Sequence, residues 1–159
     1  MPNLHLKLQE MFPQDVVEVH ADYGDETAVV RAEKIQDIAL RIKNHDDFEM
    51  NVLMDLTAVD GYEMGWKPRF EVVYHFYSTT KNQRLRLKAR VNEKDSVPTL
   101  TVIWPIADWF EREAWDMFGI KFEGHPNLKR ILMYEGFTGH PLRKDYPINK
   151  RQPLIGPKN

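Results

Sequence analysis

Residues 104–147 read WPIADWFEREAWDMFGIKFEGHPNLKRILMYEGFTGHPLRKDYP. The first part of this stretch predicts a helix over 105–118. Pro105 suits a first-turn position, where its missing N–H costs nothing. Asp108 places negative charge near the helix start, which the helix dipole favours. Gly119 follows Phe118 and suits a left-handed cap. On a helical wheel Ile106, Phe110, Ala114 and Met117 share one face with Trp109 at its edge, so this face is expected to pack on a scaffold. Arg112 and Asp116, four apart, are expected to pair on the outer face. Glu111 is expected to point elsewhere, near Trp115. Glu113 falls inside the apolar sector, and two placements fit it. Either it reaches solvent at the edge of the face, or it is buried and paired with Arg130 or Arg143.

The second part is neither helix nor regular sheet. Gly-His-Pro occurs at Gly124-His125-Pro126 and again at Gly139-His140-Pro141. Proline drives the residue before it out of the helical region, so both histidines are expected to be extended. Yet Leu128, Ile131, Leu132, Met133, Tyr134, Phe137, Leu142 and Tyr146 fall in the same region, which is too apolar for a disordered tail. Such a segment must lie on a surface, its own or a partner's. The expected organisation is a globular domain over 1–123, ending in the helix, and an extended partner-docking tail over 124–159.

Length and composition frame this stretch. A chain of 159 residues allows one domain with an extension. It has no cysteine. That removes disulfides, thiol catalysis and ordinary thiolate-held iron–sulfur clusters. No apolar run approaches the roughly 20 residues of a membrane-spanning helix. The start, MPNLHLKLQEMF, lacks the pattern of a secretory signal, so a cytoplasmic location or the cytoplasmic face of a membrane is expected. The net charge of −2 hides a gradient: residues 129–159 carry seven Lys or Arg against two acids, net +5, leaving −7 for 1–128. A basic tail that is also apolar suits an acidic protein surface better than nucleic acid.

Elsewhere the periodicities alternate between helix and strand. Leu4, Leu8, Met11 and Phe12 have helical spacing, ended by Pro13. Val16–His20 and Thr27–Ala32 read as strands around the turn Tyr23-Gly24-Asp25. Ile35, Ile38, Ala39 and Ile42 define an amphipathic helix within 34–45. Asn51–Val59 is apolar on both faces, which predicts a central strand. Arg69–Ser78 and Arg84–Val91 alternate strictly, and the short link between them predicts a hairpin. The second of these strands puts Arg84, Arg86, Lys88 and Arg90 on one face. That is either an anion-binding or nucleic-acid surface, or a solvated face paired with Glu71. Val97–Ile103 is strand-like by composition. The expected class is α+β: a two-layer sandwich of a mostly antiparallel sheet with helices on one face, plus an irregular C-terminal tail.

Chemistry is sparse. No phosphate-binding loop, nucleophile elbow or HExxH spacing occurs. The acids Glu111, Glu113 and Asp116 could serve a hydrolytic site with His125, although helix geometry makes them diverge. His125 and His140, helped by Glu123 or Asp145, are the metal-site alternative. Trp109 beside Arg112 has the character of an interface anchor.

The run Glu111-Arg112-Glu113-Ala-Trp-Asp116-Met-Phe-Gly119-Ile closely resembles the signature of the 30 kDa subunit family of respiratory NADH:quinone oxidoreductase, complex I. So do Phe122-Glu-Gly124-His125-Pro126-Asn-Leu128-Lys-Arg130-Ile-Leu132 and Pro141-Leu-Arg143-Lys-Asp145-Tyr-Pro147. Asp60-Gly61 and the strand Phe70–Tyr74 also resemble that family. The resemblance implies a cofactor-free subunit with no catalytic, cofactor-binding or metal residues. It implies packing beside the quinone-site subunit and the cluster-carrying subunit of the peripheral arm, on the cytoplasmic side of the cell inner membrane. FMN, iron–sulfur clusters and quinone would sit on those partners. Glu111, Arg112, Glu113, Asp116, Arg130, Arg143 and Asp145 would form an ionic frame, with Gly119, Gly124, His125 and Pro126 shaping the path. Some members are fused to the quinone-site subunit, and a chain ending at Asn159 is expected to be the unfused form. Equivalent subunits of F420H2 dehydrogenases and membrane-bound hydrogenases keep a similar motif.

Overall fold

Two alternating strands, β4 (Phe70–Ser78) and β5 (Gln83–Val91), pair antiparallel from Phe70↔Val91 to Ser78↔Gln83. They form the expected hairpin at the middle of a five-stranded sheet. Further strands flank it: β1 (Val16–His20) and β2 (Thr27–Val30) on one side, β3 (Val52–Asp60) on the other, in the order β1-β2-β5-β4-β3. Among the described residues of this sheet, only β2 and β5 run parallel. The others pair antiparallel, as the α+β class requires. The computed structural model describes residues 3–153, so the last six residues of the expected tail lie outside the described residues.

Period-two alternation decides the layers. Leu56, Ala58, Val72, Tyr74, Phe76, Leu85, Leu87 and Ala89 are buried in one cluster with residues from three helices. The helices are α1 (Leu4–Met11), α2 (Ile35–Asn44) and α3 (Ala107–Phe118). Each contributes an apolar stripe: Leu4 and Leu8; Ile35, Ile38, Ala39 and Ile42; Ala107, Ala114 and Met117. Fully burying a large aliphatic or aromatic side chain is worth about 1.5–3 kcal/mol before entropy. The alternate residues of β4 and β5 form the other, open face. There Lys88 lies 2.9 Å and Arg90 3.3 Å from Glu71, Arg90 also reaches Glu18 at 3.0 Å, and Arg86 reaches Asp25 at 3.0 Å. Three of the four bases of the stripe thus have acidic partners within the chain, and Arg84 lies 5.3 Å over the Tyr77 ring, which leaves little free positive charge for a nucleic-acid surface.

Three expectations change. The Asn51–Val59 strand is an edge strand, not a central one, because its second apolar face, Met54 and Val59, stays in solvent. Val97–Ile103 yields only the short β6 (Ser96–Pro98), which pairs parallel with β7 (Lys121–Glu123) in a separate two-stranded sheet. The helix starts at Ala107, because Trp104–Ile106 are spent in a turn closed by Trp104 N–H onto Leu100 O and Ala107 N–H onto Trp104 O.

Candidate functional site

α3 carries two fully buried acids, Glu111 and Asp116, on different sides of the helix. The buried row is Ala107, Glu111, Ala114 and Phe118, while Ile106 and Trp109 are largely exposed and Glu113 lies in solvent. The packed face is thus turned by about one residue, roughly 100°, from the apolar wheel. Two expectations fall with that rotation. Glu113 makes no buried ion pair, and Glu111 points inward instead of toward Trp115. The reason is hydrogen bonding: an acid with donors waiting for it can occupy a core position that hydropathy would refuse.

Glu111 Oε1 accepts the Leu100 N–H at 2.7 Å, and Oε2 accepts the Thr99 hydroxyl at 2.5 Å. Burial pushes its pKa up to about 7, against the pull of those two donors and helped by the charge of Asp108. The buried His125 ring lies close by, with Nε2 3.9 Å from Glu111 Oε2 and 3.2 Å from the Asp108 carbonyl oxygen. His125 Nδ1 accepts the Asn127 N–H at 3.0 Å, so Nε2 carries the proton and donates to Asp108. Gly124, at φ +80°, makes the turn that aims this histidine.

Asp116 organises the tail. Its Oδ2 accepts three consecutive N–H groups, Ile131 at 3.1 Å, Leu132 at 2.9 Å and Met133 at 2.9 Å. Its Oδ1 accepts Arg130 Nη1 at 2.6 Å. Burial works to raise the Asp116 pKa, but the Met133 N–H, the Arg130 guanidinium and the other two amides more than reverse it, holding the carboxyl below its ordinary range. Arg130 then donates through Nη2 to the carbonyls of Phe137 at 2.7 Å and Gly139 at 2.9 Å. The expected Arg112–Asp116 pair does not form, because Arg130 and the tail amides occupy the carboxylate. Arg112 instead donates to the carbonyls of Lys129 and Arg130 at 3.2 and 3.1 Å and stacks 5.2 Å over Trp109.

A helix end leaves its last carbonyls without partners. Here the tail supplies them. Gly119, left-handed at φ +79°, donates its N–H to Trp115 O. His140 Nδ1 donates to Asp116 O, Leu142 N–H to Met117 O, and Arg143 Nε to Phe118 O. A Cβ on Gly119 would lie 2.6 Å from both Arg143 and His140. Arg143 also pairs with Glu93, and its cation sits at the negative end of the helix dipole.

Beyond Arg143 the tail reaches the sheet. Arg69 grips Asp60 with Nε and Nη2 at 2.8 and 2.7 Å and Asp145 at 3.0 and 2.8 Å, while Lys144 N–H donates to Asp60 Oδ2 at 2.9 Å. Burial opposes ionisation of Asp60, and Arg69 with the Lys144 and Tyr62 amides overrides it, so its pKa is lowered. Arg69 and Glu93 were absent from the expected frame. Their partners are 76 and 50 residues away, beyond any local spacing signal.

One side of the tail joins the core through Leu128 and Met133. Phe137 meets Tyr134 edge-on and stacks on Tyr146. The other side is bare: Leu132 is 57% exposed, Leu142 52%, and Trp109 on the adjoining helix 56%. His125 sits against Asp108, and His140 against the end of α3. No group of three His, Asp or Glu side chains among the described residues could hold a metal ion. The arrangement offers a rigid, partly apolar surface with basic edges.

Comparison with known proteins gives a consistent picture. Residues 28–152 match the family described as respiratory-chain NADH dehydrogenase, 30 Kd subunit. The chain is 45% identical over 154 residues to the C subunit of the NADH-quinone oxidoreductase of Citrifermentans bemidjiense, covering 95% of this chain and 93% of that one. It is 40% identical over 150 residues to the C 2 subunit of the NADH-quinone oxidoreductase of Rhizobium etli, covering 94% and 79%. Among solved structures, a chain of the membrane-bound sulfane sulfur reductase, an archaeal respiratory membrane complex, superposes with a TM-score of 0.74. The two are 25% identical, with 92% of this chain and 85% of that chain covered.

Proposed function

We propose, for a chain that belongs to the 30 kDa subunit family of the respiratory-chain NADH dehydrogenase, that its work in a respiratory complex is to present α3 and residues 124–153 as a docking surface. Its neighbours there are the quinone-site subunit and the cluster-carrying subunit, on the cytoplasmic side of the membrane. The chain supports electron transfer from NADH to quinone without a catalytic centre of its own, and FMN, clusters and quinone belong to its partners. The absence of cysteine supports this, since ordinary clusters need thiolates. No helix among the described residues is long and apolar enough to cross a membrane, which suits a peripheral position.

The observation that carries the reading is the split character of the tail. Its backbone is fixed from inside by Asp116 and Arg130, while Leu132 and Leu142 stand in solvent, more than half exposed. A preorganised apolar surface spends little entropy on binding. The likeness to the sulfane sulfur reductase chain favours a second reading, the same docking role in a respiratory complex with a different electron acceptor.

Leu142→Asp tests the proposal. The isolated chain should keep its melting temperature, since the side chain is half exposed, while the amount of chain recovered in the purified membrane complex should fall severalfold. Wild-type recovery of the variant in active complex would overturn the docking role.

A further inference from the structure

The sheet has two edges of very different character. β1 is five residues long and follows Pro13 closely. These are ordinary protections against unwanted strand pairing. β3 is nine residues long and contains neither proline nor lysine. Its ladder with β4 runs from Val52↔Tyr77 to Asp60↔Phe70, broken by one bulge near Asp55. On its other side no backbone hydrogen bond reaches residues 52–60 from any described residue. The nearest are Met50 N–H to Ile42 O before the strand and Gly61 N–H to Arg69 O after it. A row of outward N–H and C=O groups must meet water or another chain. α3 packs against β3 and supplies no backbone donor or acceptor to it.

The side chains on this strand fit a covered position better than a solvated one. Met54 is 47% and Val59 37% exposed, both on the open face of the sheet. Asp55 stands opposite His75 and makes no ion pair among the described residues. On the same face Glu71, Arg86, Lys88 and Arg90 have ion-pair partners and Arg84 lies over the Tyr77 ring, so Asp55 is the acid of this face without a cation among the described residues.

We propose that β3 accepts a sixth strand from a neighbouring subunit, an extended segment that places a Lys or Arg against Asp55 and apolar groups over Met54 and Val59. Main-chain pairing would supply the affinity and the alternate side chains the selectivity. A second copy of this chain is a poor occupant, because β3 carries Asp55 and Asp60 and no base. The inference rests on the chain being part of a larger complex, but it uses a different surface from α3 and the tail.

Hydrogen exchange measured on the purified chain and on the assembled membrane complex tests it. Amides within 53–59 that exchange freely in the isolated chain should slow by roughly tenfold or more on assembly. Asp55→Lys should abolish that slowing while leaving the slowing of residues 131–142 intact. Unchanged exchange at 53–59 beside slowed exchange at 131–142 would overturn the strand addition and leave the docking surface standing. Slowing at 53–59 that rises with concentration of the isolated chain would assign the edge to self-pairing and also overturn it. Unchanged exchange in both regions would defeat the docking surface as well.

Discussion

Glu111 and Glu113 stand two positions apart on one helix and occupy opposite environments. Glu113 is in solvent, whereas Glu111 is buried and held by Thr99 and Leu100. Its pKa of about 7 lies above the ordinary carboxyl value of 4.5, so between those two values the folded chain keeps a proton that the unfolded chain has released. Stability should therefore fall as pH rises from about 4.5 toward 7, in proportion to that proton. Glu111→Gln should flatten this decline in a denaturation series across the same window. At this scale the sequence could not distinguish the two glutamates. A wheel built on hydropathy treats every acid as outward-seeking, and the donors that hold Glu111 inside come from residues 11 and 12 positions upstream. Asp116 was equally opaque, since its donors are the backbone amides of Ile131, Leu132 and Met133, which have no side-chain signature.

At the scale of elements, legibility followed periodicity. β5 was readable because one face is buried and the other carries charge, so the two-residue period is written in its side chains; β4, buried on both faces from Phe70 to Tyr74, was readable through its hairpin link to β5. α2 was readable for the same reason with the helical period. β6 and β7 have three residues each, too few for any period to show. The edge position of β3 was hidden because exposed apolar residues such as Met54 and Val59 imitate a buried second face. The end of α3 was readable through Gly119, whose left-handed backbone is strained for any side chain. Gly119→Ala should cost at least about 1 kcal/mol, more where Arg143 and His140 cannot retreat, measured by urea unfolding.

Among the described residues two sets of ion pairs differ in reach. Those on the open sheet face balance local charge, whereas those of Arg69, Arg130 and Arg143 connect the tail to the sheet and helix across long stretches of sequence. Arg143→Ala would remove the donor to Phe118 O and the pair with Glu93 together. It should lower the amount of assembled complex in membranes, with turnover per assembled complex unchanged; quantifying this chain in the complex against activity separates the two. Normal amounts with reduced turnover would point instead to a direct part in electron transfer.

Because His140, Leu142 and Arg143 finish the hydrogen bonding of α3, and Asp116 templates the backbone that follows, no clean place exists to cut between Glu123 and Asp145. A chimera that grafts a relative's C-terminal third onto this sheet would inherit mismatched joints on both sides. The constraint reaches past Asp145, because Tyr146 stacks on Phe137 and its hydroxyl accepts from Gln152.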